Sequence, residues 1–242
     1  LDKTPFYAEG GGQVGDAGEL VSGDGRTVLA DVADTIKEQG VFIHLVKLAQ
    51  GASFDDLNGE TVLARVNAER RARVMAHHTA THLMNEALKR VLGAHVRQAG
   101  SYVGPDKLRF DFSHPKALTP DELARIEQIV NDEIKAAHPV SPECHPVSKV
   151  KDFGATTLLG EDYGDKPRFL LIGPKAWKDP KDRFSLELCG GTHVDNTSEI
   201  LAFKITREAS ASAGVRRIEA LAGKAVAESA AALTKAKSKA AA

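Results

Sequence analysis

Two stretches, His77-His78-Thr79-Ala80-Thr81-His82-Leu83 and Cys189-Gly190-Gly191-Thr192-His193, decide how this chain is read. The first reads as helix, so His78 and His82, spaced H-x3-H, share one face. In the second, spaced C-x3-H, two glycines let the backbone turn sharply between Cys189 and His193. Each pair matches half of a tetrahedral zinc site. More than a hundred residues separate the halves, so only a folded domain can join them. That points to a metal at a functional centre rather than to a small zinc-stapled finger. A lone histidine on a helix usually pairs with some polar group; two pairs together, one on a glycine turn, favour metal. The helix is not that of a metalloprotease, because Thr79 stands where the catalytic glutamate of H-E-x-x-H belongs.

Around the histidines, residues 68–92 carry few helix breakers. Apolar residues recur at Met75, Leu83, Ala87, Leu88 and Val91, and Gly93 is a plausible stop. Upstream, residues 1–66 read as β. Turn signals at Gly23-Asp24-Gly25 and Asn58-Gly59 separate strand-like runs at 27–33, 41–46 and 61–66. Short strands with glycine turns predict a small barrel. The glycine-dense segment from Gly10 to Asp16 lacks phosphate-loop or dinucleotide spacing and is not a phosphate cradle.

Downstream, Tyr102-Val103 and residues 108–112 read as strands around the turn Gly104-Pro105-Asp106. A second helix opens with Thr119 as N-cap, Pro120 at the first helical position and Glu122 completing a capping box. Leu123, Ile126, Val130 and Ile134 then fall on one face. Residues 138–150 read as a connection, 169–172 as a short apolar strand, and 174–182 as an exposed basic loop around Trp177. Residues 184–188 alternate as a strand and deliver Cys189. Residues 200–205 and 215–221 are further strand candidates, split by small residues. From Lys224 the chain is rich in alanine and lysine, as in the opening of a helix.

The 242 residues suffice for one large domain or two small ones, and 42% hydrophobic content allows a sizeable core. A formal net charge of −1 confines any nucleic-acid contact to local patches. Candidate patches are Arg65 with Arg70, Arg71 and Arg73; the loop carrying Lys175, Lys178 and Lys181; and Arg207 with Arg216 and Arg217. Two cysteines make no disulfide framework. Cys189 as a ligand requires a thiolate and hence a reducing compartment, while Cys144 reads as a plain thiol. No run reaches transmembrane length and no signal peptide is present, so a cytoplasmic protein is expected. A start at Leu1 rather than methionine suggests a piece of a longer protein.

The run Thr4-Pro5-Phe6-Tyr7-Ala8-Glu9-Gly10-Gly11-Gly12-Gln13-Val14-Gly15-Asp16 closely resembles the opening of the editing region of alanyl-tRNA synthetases. His78-Thr79-Ala80-Thr81-His82-Leu83 is similar to the histidine motif of that family. Gly160-Glu161-Asp162-Tyr163-Gly164-Asp165, Ser185-Leu186-Glu187-Leu188-Cys189-Gly190-Gly191-Thr192-His193-Val194 and Gly214-Val215-Arg216-Arg217-Ile218-Glu219-Ala220 resemble its later segments, in the same order. Gly10 stands where the family usually has serine, and residues 174–181 look longer than the usual loop.

The resemblance implies an α+β protein: a small glycine-rich β-barrel subdomain over 1–67, an α/β editing core with a zinc site over 68–223, and the start of a C-terminal helix over 224–242. The implied activity is hydrolysis of tRNA(Ala) mischarged with serine, and of the glycyl form. His78, His82, Cys189 and His193 are the implied zinc ligands. Thr81 and Gln98 occupy positions that the family uses for editing and substrate discrimination. The implied partners are the tRNA(Ala) acceptor end and, for an excised piece, the rest of the synthetase. Two rivals stay open. A threonyl-tRNA-synthetase-type editing domain shares the H-x3-H and C-x3-H pairs, but the glycine-rich opening speaks against it. A non-catalytic tRNA-binding zinc module would bind without turnover.

Overall fold

The computed structural model describes residues 1–157, 163–174, 177 and 179–240. It is a mixed α+β structure with three antiparallel sheets. The chain divides into two compact units, Leu1–Ala72 and Arg73–Ala242.

The first unit holds β1 (Gly18–Ser22), β2 (Val28–Glu38), β3 (Val41–Leu48) and β4 (Val62–Val66). They pair in the order β3-β2-β1-β4. Among the described residues no ladder joins β3 to β4. The expected closed barrel is therefore an open four-stranded sheet with two edges. The short strands and glycine turns are present, but the sheet buries a single face, with Phe6, Leu20, Ala30 and Val32 as a small core. Strand β1, which the sequence pattern did not reveal, crosses β4 very closely. A side chain at Gly18 would meet the Arg65 carbonyl oxygen at 2.1 Å, so only glycine fits. The Gly10–Asp16 segment is no ligand cradle but a tight turn. Gly10 and Gln13 exchange backbone hydrogen bonds of 3.1 and 3.0 Å. Gly11 and Gly12 have φ of 58° and 84°, the left-handed pair that a type I′ turn requires.

The helix α1 (Ala68–Leu92) begins at the end of the first unit and runs into the second. The second unit continues with β5 (Gln98–Val103), β6 (Leu108–Ser113), α2 (Pro120–Lys135), β7 (Val140–Cys144), α3 (Lys149–Phe153), β8 (Arg168–Ile172), β9 (Ser185–Leu188), β10 (Phe203–Ser212), β11 (Val215–Ala222) and α4 (Lys224–Ala240). One sheet runs β10-β11-β6-β5 and the other β7-β8-β9. α2 starts as its sequence predicts: Thr119 accepts from the Glu122 N–H, and the Glu122 carboxylate accepts from the Thr119 N–H. Such a cap is worth about 1 kcal/mol. Ile126, Val130 and Ile134 are the buried face of α2. They join Leu83, Met84, Leu88, Phe110, Phe112, Leu170 and Ile172 in the main core.

Strand β7 lies where a connection was expected, because Pro142 argues against a strand. Among the described residues it pairs only with β8, and proline is tolerated on such an edge. The strand pairing β8–β9 sets up everything that follows. Phe169, Leu171, Leu186 and Leu188 point to one side, where they pack with Phe153. Leu170 and Ile172 point to the other side, into the main core with α1. Glu187 and Ser185 are the cross-strand partners of Leu170 and Ile172, so they share that core-facing side.

Candidate metal centre

Ala76–Asn85 of α1 is buried at every position, yet it contains His77, His78, Thr79, Thr81, His82 and Asn85. Buried polar side chains must be satisfied, so a helix segment of this kind needs specific partners. For His78, Thr79, His82 and Asn85 those partners come from β9 and the turn after it.

Cys189 follows β9, and its N–H donates to the Arg168 carbonyl at 3.0 Å. The Arg168 guanidinium reaches back to accepting carbonyls at both ends of the glycine turn, Cys189 at 3.2 Å and Gly191 at 2.6 Å. This clamps the turn so that Cys189 and His193 face the same point. The Cys189 Sγ lies 3.4 Å from His78 Nε2 and 3.3 Å from His193 Nε2. One donor atom from each of His78, His82, Cys189 and His193 lies within 4.8 Å of the others. Bond lengths of about 2.0 Å to nitrogen and 2.3 Å to sulfur around a tetrahedral ion imply donor separations of roughly 3.3–3.8 Å. The cluster needs little adjustment to meet that geometry.

The outer contacts orient the rings. Glu187 Oε2 lies 2.7 Å from His82 Nδ1, and Glu187 Oε1 accepts from Asn85 Nδ2 at 2.8 Å. With Nδ1 turned to the carboxylate, His82 Nε2 is left buried and without a hydrogen-bond partner among the described residues. His193 Nδ1 sits 3.2 Å from Thr79 Oγ1, and Thr79 Oγ1 also accepts from the Val194 N–H at 3.3 Å. In each ring one nitrogen is held by the protein and the other points at the cluster. This is how metal-binding histidines are held. The orphaned Nε2 and the three-nitrogen, one-sulfur donor set fit a divalent cation.

The electrostatics of Cys189 and His193 suit a ligand role. Burial opposes ionisation of Cys189, but His78, His82 and His193 outweigh it and hold the thiol well below its ordinary value. Burial and the neighbouring His78 push His193 down to about 3, so it is a neutral ligand at neutral pH. Burial also opposes charge on His82, but Glu187 and Cys189 prevail and raise it to about 10. Burial raises Glu187, but His82 outweighs this and keeps the carboxylate ionised, below its usual range.

The sequence-predicted site residues fare unequally. The four metal-ligand candidates come together. Thr81 is buried on the same helix, and its hydroxyl donates to the His77 carbonyl at 2.8 Å. Its oxygen lone pairs remain to accept a further bond. Gln98, at the start of β5, donates from Nε2 to Ser101 Oγ at 3.2 Å. Four of the candidate arginines have partners within the chain. Arg70 donates to the Gly15 carbonyl at 2.6 Å. Arg73 forms a two-pronged pair with Glu228 at 2.7 and 2.8 Å. Arg216 pairs with Glu208 at 2.6 Å, and Arg217 with both oxygens of Asp111 at 2.7 Å. Lys175, Lys178 and the motif segment Gly160-Glu161-Asp162 lie outside the described residues. Sequence inspection missed roles for Glu187, Asn85, Thr79 and Arg168. A signal existed for the first two. Glu187 is a charge two residues before Cys189 in an apolar strand, and Asn85 lies three residues after His82 on α1.

The family described as "Threonyl and Alanyl tRNA synthetase second additional domain" matches residues 168–219, which span β8, β9, the glycine turn and most of β10 and β11. The family "tRNA synthetases class II (A)" matches residues 1–70. An Alanine--tRNA ligase of Bordetella petrii is 50% identical over 224 residues, 92% of this chain and 24% of the relative. The chain is homologous to the editing region of the alanyl-tRNA synthetases. Alanine--tRNA ligases of Paracoccus denitrificans and Elusimicrobium minutum are 46% and 43% identical, over 93% and 92% of this chain and 25% of each relative. The chain thus spans about a quarter of the length of these relatives. Among the described residues, no helix is long and apolar enough to cross a membrane.

Proposed function

We propose that this chain is an aminoacyl-tRNA deacylase that hydrolyses Ser-tRNA(Ala), and secondarily Gly-tRNA(Ala), while sparing Ala-tRNA(Ala). The observation that carries this is the buried cluster of His78, His82, Cys189 and His193, backed by Glu187 and Thr79, in a chain homologous to an editing region. In this proposal residues 1–67 are the glycine-rich subdomain, 68–223 the editing core, and 224–242 the opening of a further helix. The tRNA acceptor end is the partner, together with the remainder of a synthetase where the chain is part of one. The cytoplasm is the expected compartment, consistent with a thiolate ligand.

Zinc is the metal that three imidazoles and one thiolate suit best, and when bound it would supply a fixed positive charge that orients the ester without a direct bond to it. Four protein ligands close the coordination sphere, which disfavours a metal hydroxide as nucleophile. An ordinary water is then the attacking group, and the protein's task is to place the ester and discriminate its side chain. An aminoacyl ester is already activated, so placement supplies much of the rate. Thr81 suits the second task. Its hydroxyl proton is committed to the His77 carbonyl, so its oxygen accepts. A serine hydroxyl can donate to it, and an alanine methyl cannot. A site built to bond a hydroxyl can discriminate against the analogue lacking it by roughly 10⁴-fold or more. Gln98 retains its amide oxygen for the substrate amino group or the attacking water.

The test is a side-by-side deacylation assay with Ser-tRNA(Ala), Ala-tRNA(Ala) and Ser-tRNA(Thr), using zinc-loaded protein. Cleavage of the first alone is expected. Preference for Ser-tRNA(Thr) would move the chain to the threonyl type. Binding without cleavage of any ester would make it a zinc module rather than an enzyme.

A further inference from the structure

A cleft of about 490 Å³ lies beside the last turns of α1. Glu86, Lys89, Arg90, Arg97, Thr156 and Thr157 are among its walls. Its volume is within the range of small-ligand sites. Its chemistry is unbalanced: three cations and two hydroxyls face one carboxylate. That carboxylate is already used, since Arg90 Nε donates to Glu86 Oε1 at 3.0 Å. Arg90 also donates to the Phe184 carbonyl at 3.1 Å and lies over the Phe184 ring, so it is a fixed wall. Arg97 has no carboxylate partner among the described residues; its Nη1 donates to the carbonyls of Ala94 and Val96. Lys89 donates to Thr156 Oγ1 at 3.3 Å. Its nearest carboxylate, Glu187 at 3.9 Å, is already bonded by His82 and Asn85.

Cations in a last helical turn complement the helix dipole, which accounts for Lys89 and Arg90. It does not account for Arg97, which lies beyond the helix, nor for two threonines on the same cleft. Thr156 is placed there by its own backbone. Its N–H donates to the Leu186 carbonyl at 2.9 Å, and its carbonyl accepts from Leu188 at 3.1 Å, on either side of Glu187. The cleft is therefore tied to the metal centre through β9 as well as α1. His78, His82, Asn85 and Lys89 fall at i, i+4, i+7 and i+11, one continuous stripe. Lys89 lies about 10 Å beyond His82 along the helix axis.

We propose that this cleft holds a backbone phosphate of single-stranded RNA, immediately upstream of the 3′ terminus whose ester lies at the metal centre. The proposal rests on the deacylase assignment for its orientation but not for its chemistry. Arg97 and Lys89 supply the charge, Thr156 and Thr157 the neutral donors, and the Arg90–Glu86 pair the rigid wall. The cleft would hold the strand in register, so Arg97 and Lys89 are positioning residues.

The experiment measures affinity of the full chain for an uncharged single-stranded RNA oligonucleotide with the tRNA acceptor 3′ sequence, across a salt series. Arg97→Ala should weaken binding about tenfold and lower the salt slope by roughly 0.7, the loss of one single-strand phosphate contact. Lys89→Met should do the same, and Arg97→Lys should restore most of the binding, which separates charge from local folding. Unchanged affinity and slope in both Arg97→Ala and Lys89→Met overturns the proposal. Inorganic phosphate that competes as strongly as the RNA also overturns it, because the cleft then takes free phosphate. Uncharged RNA keeps this test separate from catalysis. Arg97-dependent binding in a protein that cleaves no ester supports the cleft and sinks the deacylase assignment. Ester cleavage with an unchanged KM and slope in both variants does the reverse.

Discussion

The histidines of α1 and several arginines are both candidate functional residues in the sequence, and the fold gives them different kinds of partner. His78, His82 and His193 converge with Cys189 on one point, each drawn away from solvent. Arg73, Arg216 and Arg217 are drawn to Glu228, Glu208 and Asp111, at least partly satisfying their charge within the protein. The difference is one of surplus. The histidine cluster ends with an orphaned buried nitrogen, His82 Nε2, that the protein itself does not satisfy. The arginine pairs end with matched charges. A residue pattern becomes a site when the fold leaves something unsatisfied.

The largest expected effect attacks the converging side. Cys189→Ala should reduce bound zinc from about one per chain to a small fraction, measured by elemental analysis of purified protein, because three imidazoles alone leave a tetrahedral ion short of its soft ligand. Full stoichiometric zinc in this variant would remove Cys189 from the ligand set. A smaller loss is expected one contact further out. Glu187→Gln keeps the shape but removes the carboxylate that holds His82, and should weaken metal binding by about ten- to a hundredfold in chelator competition. Equal affinity would mean that the His82–Glu187 pair serves packing alone.

Selectivity should be more sensitive than metal content to Thr81→Val. The variant should retain zinc and cut the ratio of serine to alanine deacylation by roughly ten- to a hundredfold, the cost of one hydrogen bond of about 1–3 kcal/mol. An unchanged ratio would leave the Thr81 hydroxyl with its helical bond to His77 as its whole role. The smallest effect is expected on the matched side. Arg217→Met should change tRNA affinity by less than about threefold, since an internally paired guanidinium adds little to a phosphate contact. A tenfold loss would reverse the comparison and make the Arg217–Asp111 pair a binding surface.

Local patterns were readable in advance. The helix over 68–92, the capping box at Thr119 and Glu122, and three strands of the first unit lie close to where periodicity puts them, because those signals are written in neighbouring residues. The pairing of H-x3-H with C-x3-H was legible for the same reason, since each half has its own spacing. Strands β1 and β7 were not, as one is a five-residue run starting at glycine and the other contains Pro142 on an edge. The barrel expectation failed because short strands and glycine turns mark where strands begin and end, not whether the outer edges meet.

By itself, the sequence determined most of the secondary-structure elements, the identity of the four donor residues and the kinship with an editing region. Only the tertiary structure decided which charges those residues meet. Glu187 reaches His82 across 105 positions of sequence, and Asp111 reaches Arg217 across 106. Coulombic and hydrogen-bonding partners are chosen by distances of a few ångströms in the folded state, and no spacing rule in the chain encodes them. The same holds for the cleft at Arg97, whose wall comes from α1, the segment after it, and Thr156 alongside β9. Periodicity is a property of neighbours along the chain, whereas a surplus of charge or an orphaned nitrogen is a property of neighbours in space.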